Sequence, residues 1–294
     1  MIVVTTPTGQ IGRDVVQNLL DADQPVRVIA REPHKLPKAV RERVEVIEGS
    51  HGESAVVERA FKGAGAVFWV APPDMKKTQE EAYVEFTRPA AEALRRLGVK
   101  RVVSVTGIGR GTAWADKAGL VTASMRMDDL LMSSAAEFRG LAMPSFMENF
   151  ARQVGVVKEK GLLSGTLDPD RKVPWTSTRD LAAVAARFLT DSTWTGNKEI
   201  PVLGPDVLSF SEIAQIISEV AGRQVRYQQT TFEALKQQFL GRGASESFAQ
   251  GYVDMYRAKN EGMDNTAISS STAERTPTSF RSWCEQNLKP ALIG

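Results

Sequence analysis

Short apolar runs alternate with longer amphipathic stretches along the first half of the chain. Such alternation is typical of parallel strands connected by helices that pack on the sheet. The run 66–70 (Ala-Val-Phe-Trp-Val) is apolar at every position, which indicates a strand covered on both faces. The predicted strands are residues 2–5, 26–30, 44–47, 66–70, 101–105 and 140–143. The helices predicted between them are residues 10–20, 53–62, 78–97 and 122–134.

The strand pattern weakens after about residue 150, where the connections contain Gly and Pro. Helices are predicted over Thr178–Thr190 and over residues 209–221, which open with the capping-box spacing Ser-Phe-Ser-Glu. A strand is predicted over 224–229, and most of the remainder reads as helix. We therefore predict an α/β fold with a Rossmann-type doubly wound parallel sheet. Residues 1–150 are predicted to form an NAD(P)-binding domain. Residues 151–294 would form a smaller substrate-side α/β region, some segments of which return to the main sheet.

The bulk properties narrow the possible functions. The chain has 294 residues, 42% of them hydrophobic and 24% charged, which is enough to bury a core without disulfides or metals. A net charge of +2 with interspersed signs argues against a nucleic-acid partner. The one cysteine, Cys284, cannot form an internal disulfide, and no apolar run approaches the roughly 18 residues that a membrane span needs. We expect a soluble cytoplasmic protein, with a homodimer as one open arrangement.

A glycine-containing turn lies between the first predicted strand and the first predicted helix. A dinucleotide site needs glycines here, because the backbone amides that open the helix must approach a pyrophosphate closely. Glycines that serve only the geometry of the turn are the alternative interpretation. The predicted cofactor contacts in the turn are Thr6, Thr8, Gly9, Gln10, Ile11 and Gly12, and those after the fourth strand are Ala71 and Pro72.

The residue that ends the second predicted strand bears on the choice of cofactor. An acidic residue at this position would bind the ribose hydroxyls of NAD, whereas Arg31 offers a fork of donors to a 2′-phosphate. Lys35 could add a second positive charge. NADPH (NADP) is therefore the predicted cofactor, although both cations could also be solvated loop residues.

The chain resembles the NmrA-like family of atypical short-chain dehydrogenases/reductases, close to bacterial quinone and triphenylmethane reductases. The resemblance covers nearly the whole length. It rests on the turn residues 5–12, on Arg31, on Gly49, on residues 93–104 with Gly-Val-Lys-Arg-Val-Val, and on the segments 144–150, 175–182 and 210–214.

The resemblance implies one of two activities. Reductases of this type pass hydride from NADPH to quinones, dyes or other flat conjugated acceptors, while other members sense the dinucleotide without turning it over. The chain departs from the family at Thr6, which replaces the first glycine of the motif. Pro7 is expected to hold Thr6 in an extended backbone, where its side chain would crowd the pyrophosphate.

The Tyr-x-x-x-Lys pair that protonates substrate in the better-known dehydrogenases of this superfamily is absent. After the fifth strand the polar candidates are Lys117 and Ser124, together with Thr106 and Asp128. Lys117 could polarise an acceptor, but it also reads as a solvated loop lysine. For Asp128, a role as a helix cap or as a surface residue is as consistent with the sequence as a catalytic one.

The substrate is expected at the carboxyl ends of the strands, where ligands of open α/β sheets bind. The candidate pocket residues are Pro73, Ser145, Phe146 and Met147, although core packing explains Phe146 and Met147 equally well. The two histidines lie in different loops, so no zinc site is predicted. We predict an NADPH-dependent oxidoreductase that transfers hydride directly to a conjugated, aromatic or quinone-like small molecule. The alternative is an NADP(H)-sensing regulator that binds a protein partner.

Overall fold

The structure is a computed structural model that describes residues 1–135 and 137–293. In chain order its strands are β1 (Ile2–Val4), β2 (Val26–Ala30), β3 (Glu45–Glu48), β4 (Ala66–Trp69), β5 (Arg101–Gly107), β6 (Glu137–Met143), β7 (Ser145–Phe146), β8 (Leu162–Gly165), β9 (Val173–Thr176), β10 (Asn197–Leu203), β11 (Val207–Leu208), β12 (Arg226–Gln229) and β13 (Glu274–Arg275).

The largest sheet has eight strands in the order β3-β2-β1-β4-β5-β6-β10-β13. Its first six strands follow the order of the classical dinucleotide-binding sheet, in which the strand order reverses beside β1. Strand β1 pairs in parallel with both β2 and β4, so that Ile2 lies opposite Val26 on one side and Ala66 on the other. The predicted Rossmann-type fold is confirmed.

The helices in chain order are α1 (Gln10–Asp21), α2 (Lys38–Arg41), α3 (Ser54–Phe61), α4 (Phe86–Leu97), α5 (Leu120–Met132), α6 (Val154–Lys160), α7 (Thr178–Thr190), α8 (Phe210–Ala221), α9 (Phe232–Leu240), α10 (Glu246–Asn260), α11 (Phe280–Trp283) and α12 (Lys289–Ile293). Short segments of 3₁₀ or π geometry lie at Pro33–Lys35, Glu81–Glu85, Met147–Gln153, Met263–Ala267 and Cys284–Leu288. The predicted capping box of α8 is present, because Ser209 and Glu212 each accept a hydrogen bond from the other's backbone amide.

The chain divides into two compact units. The first comprises residues 1–107, 123–142 and 181–200, and the second comprises 108–122, 143–180 and 201–294. Because the two units interleave along the chain, the division predicted at residue 150 into a cofactor domain and a substrate-side region stays a prediction. The core of the first unit is built from strand residues such as Val67 and Trp69, and from helix residues such as Phe61 and Leu94, all of them buried. This core gives the carboxyl ends of β1 and β4 a fixed position.

The second unit has its own aromatic core. Phe150, Trp175, Phe210 and Phe280 lie with ring centroids 5.1 to 6.5 Å apart. Two small sheets belong to it, one in the order β11-β9-β7 and one that pairs β12 with β8.

Sequence reasoning missed several strands in the second half of the chain. Strands β9 (Val-Pro-Trp-Thr) and β10 (Asn-Lys-Glu-Ile-Pro-Val-Leu) each contain a proline, which lacks the N–H that a sheet ladder uses. The first two residues of β10 are exposed, so its apolar pattern is short.

Candidate functional site

The turn from β1 into α1 is held in one conformation by its own backbone. The carbonyl of Thr6 accepts a hydrogen bond from the Gly9 amide at 2.9 Å. Thr6 has a φ of +49°, so it lies in the left-handed region. The expectation of an extended backbone before Pro7 was wrong, because the turn requires here a conformation that glycine adopts more easily. Thr6 adopts this left-handed backbone at a cost in strain.

Gly12 is required by its close approach to this turn. A Cβ atom at position 12 would lie 2.2 Å from the Thr6 carbonyl oxygen and 3.1 Å from that of Thr5, both of them backbone atoms. At Gly9 the added atom would lie 3.3 Å from the Thr6 oxygen. The opening of α1 is therefore pressed against the end of β1.

The amides that open α1 are available to a ligand. The N-cap residue, Gly9, makes no side-chain capping hydrogen bond, and the first turn of α1 contains no acidic residue. Thr8, Gly9 and Gln10 are exposed, and Thr6 and Ile11 are half-buried. Uncapped amides and the positive end of the helix dipole favour an anion at this place. The turn also lies beside the reversal of strand order, so it fits a dinucleotide pyrophosphate.

The segment after β4 is fixed from two sides. Thr5 Oγ1 donates to the Phe68 carbonyl at 3.1 Å and accepts from the Val70 amide at 2.9 Å. His51 Nε2 donates to the Val70 carbonyl at 3.0 Å, and its ring meets those of Trp69 and Phe86 edge-on.

Burial lowers the pKa of His51 to about 4, so its imidazole is neutral at physiological pH. These contacts position the predicted cofactor and pocket residues that follow. Their exposure increases along the segment, from the buried Ala71 through the half-buried Pro72 to the exposed Pro73.

The predicted 2′-phosphate residues lie just after β2. Arg31 is exposed and has no hydrogen-bonding or ion-pair partner within the described ranges. Lys35 is bound instead to Glu32, with 2.6 Å between Nζ and Oε1. This hydrogen bond lowers the pKa of Glu32. Arg31 is thus the cation available to a phosphate, while Lys35 neutralises the adjacent carboxylate.

The polar candidates on β5 and α5 are tied into buried pairs. Thr106 and Ser124 share a hydrogen bond of 2.9 Å, and Ser104 donates to Asp128 Oδ1 at 2.7 Å. Asp128 is completely buried, so the surface role considered for it is wrong. Ser124 is 6% exposed.

Lys117, the other catalytic candidate, is exposed in the second unit. Its amide donates to the carbonyl of Trp114 at 2.9 Å.

The pocket candidates of the second unit differ in accessibility. Ser145 and Phe146 are half-buried on the short strand β7. Met147 is completely buried within the core of this unit, where its methyl group lies close to Gly204. Met147 therefore packs in this core, as the core-packing interpretation expects, and a contact between Met147 and a ligand stays a prediction.

The sequence profile of the NmrA-like family matches residues 1–283. The chain belongs to this family. A curated relative, the NAD(P)H azoreductase of Xenophilus azovorans, is 31% identical over 258 residues, which cover 87% of this chain and 86% of that protein.

Two solved structures share the NmrA-like fold with this chain. The NADPH-dependent quinone oxidoreductase of Escherichia coli superposes with a TM-score of 0.76 at 20% identity, covering 97% of this chain and 99% of the other. The triphenylmethane reductase of Citrobacter sp., complexed with NADP(H), superposes with a TM-score of 0.72 at 23% identity, covering 99% and 98%. At these identities the likeness shows the fold.

One buried acid escaped the sequence reasoning, although it lies in an NmrA-like landmark segment. Glu148 Oε1 accepts from the Thr178 amide at 3.0 Å and from Trp283 Nε1 at 3.2 Å. Its Oε2 atom is buried with no hydrogen-bond partner among the described residues. Burial raises the pKa of this carboxyl group. No sequence signal distinguished Glu148 from an ordinary surface acid.

Residues 1–135 and 137–293 contain no cluster of three or more His, Cys, Asp or Glu side chains that could hold a metal ion. No helix in the same part of the chain is both long and apolar enough to cross a membrane.

Proposed function

We propose that this chain is an NADPH-dependent oxidoreductase that reduces a conjugated small molecule, such as a quinone or a dye, by direct hydride transfer. The observation that carries the proposal is the turn at residues 5–12, with its uncapped helix amides at the reversal of strand order. The azoreductase relative and the family membership support it.

The residues have distinct roles in this proposal. The first amides of α1 bind the pyrophosphate, and Gly12 lets the helix approach closely enough for them to do so. Arg31 binds the 2′-phosphate. Thr5 and His51 hold the segment 70–73 beside the cofactor. The bound dinucleotide supplies the hydride, so the protein must orient the acceptor and exclude water.

In this proposal the acceptor class follows from the buried state of Ser124 and Asp128. Ser124 and Asp128 are engaged in buried hydrogen bonds, and the chain has no Tyr-x-x-x-Lys pair. An unactivated carbonyl would need protonation by the enzyme as hydride arrives. A quinone or a cationic dye spreads the incoming charge over its conjugated system, so solvent can complete the protonation.

The test compares NADPH and NADH consumption with a panel of quinones, azo dyes and triphenylmethane dyes. Arg31→Ala is expected to raise the Kd of NADPH at least tenfold, since about 1.4 kcal/mol is lost with even a modest phosphate contact. The Kd of NADH should hardly change. Arg41→Ala, which removes another exposed arginine of the first unit, is the matched control. Equal losses for both nucleotides would contradict the role of Arg31.

A sensing role is the second candidate, and the buried hydrogen bonds of Ser124 and Asp128 favour it, because buried side chains are poorly placed to give a proton to a ligand. A sensor would bind NADPH, measured by calorimetry, and leave the whole acceptor panel unreduced. Turnover of any one acceptor at a useful rate excludes this alternative.

A further inference from the structure

An ion pair lies directly after the proposed phosphate contact of the first unit. Glu32 follows Arg31 in the chain, and its Oε1 atom lies 2.6 Å from Nζ of Lys35. The Oε2 atom of the same carboxylate lies 3.9 Å from Nε2 of His34, a contact that is ionic only when the imidazole is protonated. Both oxygens of Glu32 are therefore engaged by residues that follow it in the same turn.

The backbone of this turn holds the two partners of the ion pair in place. Pro33 has a fixed φ and opens the short 3₁₀ segment Pro33–Lys35, and the Lys35 amide donates to the Glu32 carbonyl at 3.0 Å. The next amide, that of Leu36, donates to the Pro33 carbonyl at 3.1 Å, and the Leu36 side chain is buried. Exposed ion pairs are usually weak because two mobile side chains lose freedom when they meet. Here the turn keeps the two residues together, so less freedom is lost.

The position of Glu32 matters because its charge opposes that of a phosphate. Strand β2 ends at Ala30, and an acid at the end of this strand binds the ribose hydroxyls of NAD. Adjacent Cα atoms are about 3.8 Å apart, so Glu32 lies beside the residue proposed to bind the 2′-phosphate, Arg31. The hydrogen bond from Lys35 is the main cause that lowers the pKa of Glu32, which keeps this carboxylate ionised at neutral pH.

We infer that Lys35 sets the preference for NADPH indirectly, by holding the Glu32 carboxylate, and that a released Glu32 favours NADH. Lys35 is then a specificity-determining residue that acts through Glu32. Without Lys35, the carboxylate repels the 2′-phosphate, competes for the guanidinium of Arg31, and accepts hydrogen bonds from the ribose hydroxyls of NADH. This inference rests on the proposed function, which supplies the dinucleotide and the phosphate contact of Arg31.

A double-mutant cycle separates this indirect role from a direct contact between Lys35 and the phosphate. The Kd values of NADPH and NADH are measured by fluorescence titration for the wild type, Lys35→Met, Glu32→Gln and the double variant. Lys35→Met should weaken NADPH about fivefold and tighten NADH about twofold, since one exposed charge acts on a doubly negative group. When Glu32→Gln is already present, the same substitution should change the ratio of the two Kd values by less than about twofold.

Three controls exclude a general effect of charge or of folding. Lys35→Arg retains the ion pair and should keep the wild-type ratio. Arg88→Met breaks the pair of Arg88 with Glu85, which has the same spacing along the chain and similar exposure, and it should also leave the ratio unchanged. In about 1 M salt, where the Debye length is about 3 Å, the effect of Lys35→Met should largely disappear. A loss caused by a distorted turn would persist there.

The outcomes distinguish this inference from the proposed function. A loss of NADPH affinity from Lys35→Met that is the same with and without Glu32→Gln would overturn the inference, because Lys35 would then contact the phosphate itself. A Lys35→Met protein with the wild-type ratio would overturn it as well. Both results leave the reduction of acceptors and the role of Arg31 standing. The expected cycle in a protein that reduces no acceptor would instead overturn the proposed oxidoreductase and support the role of Lys35.

Discussion

Substitution of Gly12 by alanine tests the geometry on which the cofactor site depends. The added Cβ would lie 2.2 Å from the Thr6 carbonyl oxygen and 2.8 Å from the Thr6 carbonyl carbon. Both atoms belong to a backbone already constrained by the hydrogen bond to Gly9. No side-chain rotation relieves the overlap, so α1 and the turn must separate by about 1 Å.

Two opposing effects set the size of the change. Alanine in place of glycine inside a helix is favourable by about 1 kcal/mol, whereas forcing an extra carbon into a packed contact costs about 1–3 kcal/mol. The variant should therefore be modestly destabilised. The effect on cofactor binding is larger, because displaced amides lose hydrogen bonds to a charged pyrophosphate worth about 1.5–3 kcal/mol each. The Kd for NADPH should rise by about tenfold to a hundredfold.

The assay is a fluorescence titration with NADPH, combined with thermal unfolding in its absence. The matched control is Gly155→Ala in α6, where an added Cβ would have no atom within 4 Å. That variant gains helix propensity without overlap, so it should be slightly more stable and bind NADPH normally. A Gly12→Ala protein with the wild-type Kd would refute the close-approach argument.

Three smaller predictions concern strain and buried charge. Thr6→Gly should withstand more urea than Thr6→Ala, because only glycine relieves a left-handed backbone that costs about 1–2 kcal/mol. Burial raises the pKa of Glu148 in the folded state above its ordinary value of 4.5. The protein is therefore most stable with respect to this group below pH 4.5, and it loses that stability as the pH rises through the folded pKa. Glu148→Gln should accordingly raise Tm at pH 8 and leave it unchanged at pH 4. Lys259→Met leaves the carboxylate of Asp264 buried without its ion-pair partner, and should lower the free energy of unfolding in urea by about 3–5 kcal/mol. Adding Asp264→Leu should restore most of that stability.

The pattern of apolar residues in the first half of the chain was enough to predict its sheet, because strands covered on both faces consist of short apolar runs. The second half was harder to predict for a physical reason. Strands β9 and β10 contain proline, and their ladders are completed by residues distant in sequence, such as Val207 and Glu274. A local pattern cannot report pairings that arise only when the chain has folded.

The glycine turn could be located from sequence, but its backbone could not. Proline favours an extended backbone in the residue before it through a local steric clash. At Thr6 this local preference is outweighed by the hydrogen bond to Gly9 and by the approach of Gly12. The buried pairs of Ser124 and Asp128 were equally inaccessible to sequence reasoning, because they depend on the depth at which α5 packs against β5.

That packing bears directly on the chemistry. A side chain that supplies a proton must reach the substrate, yet Ser104, Thr106, Ser124 and Asp128 are each buried and hydrogen-bonded to one another in pairs. Freeing one of them would leave its partner buried and unsatisfied, at a cost of about 1–3 kcal/mol. The hydrogen bonds between β5 and α5 therefore contribute to the stability of the fold, and the catalytic role considered for Ser124 stays a prediction. The proposed function therefore favours acceptors that need no proton from these side chains during hydride transfer, a condition that conjugated quinones and dyes meet.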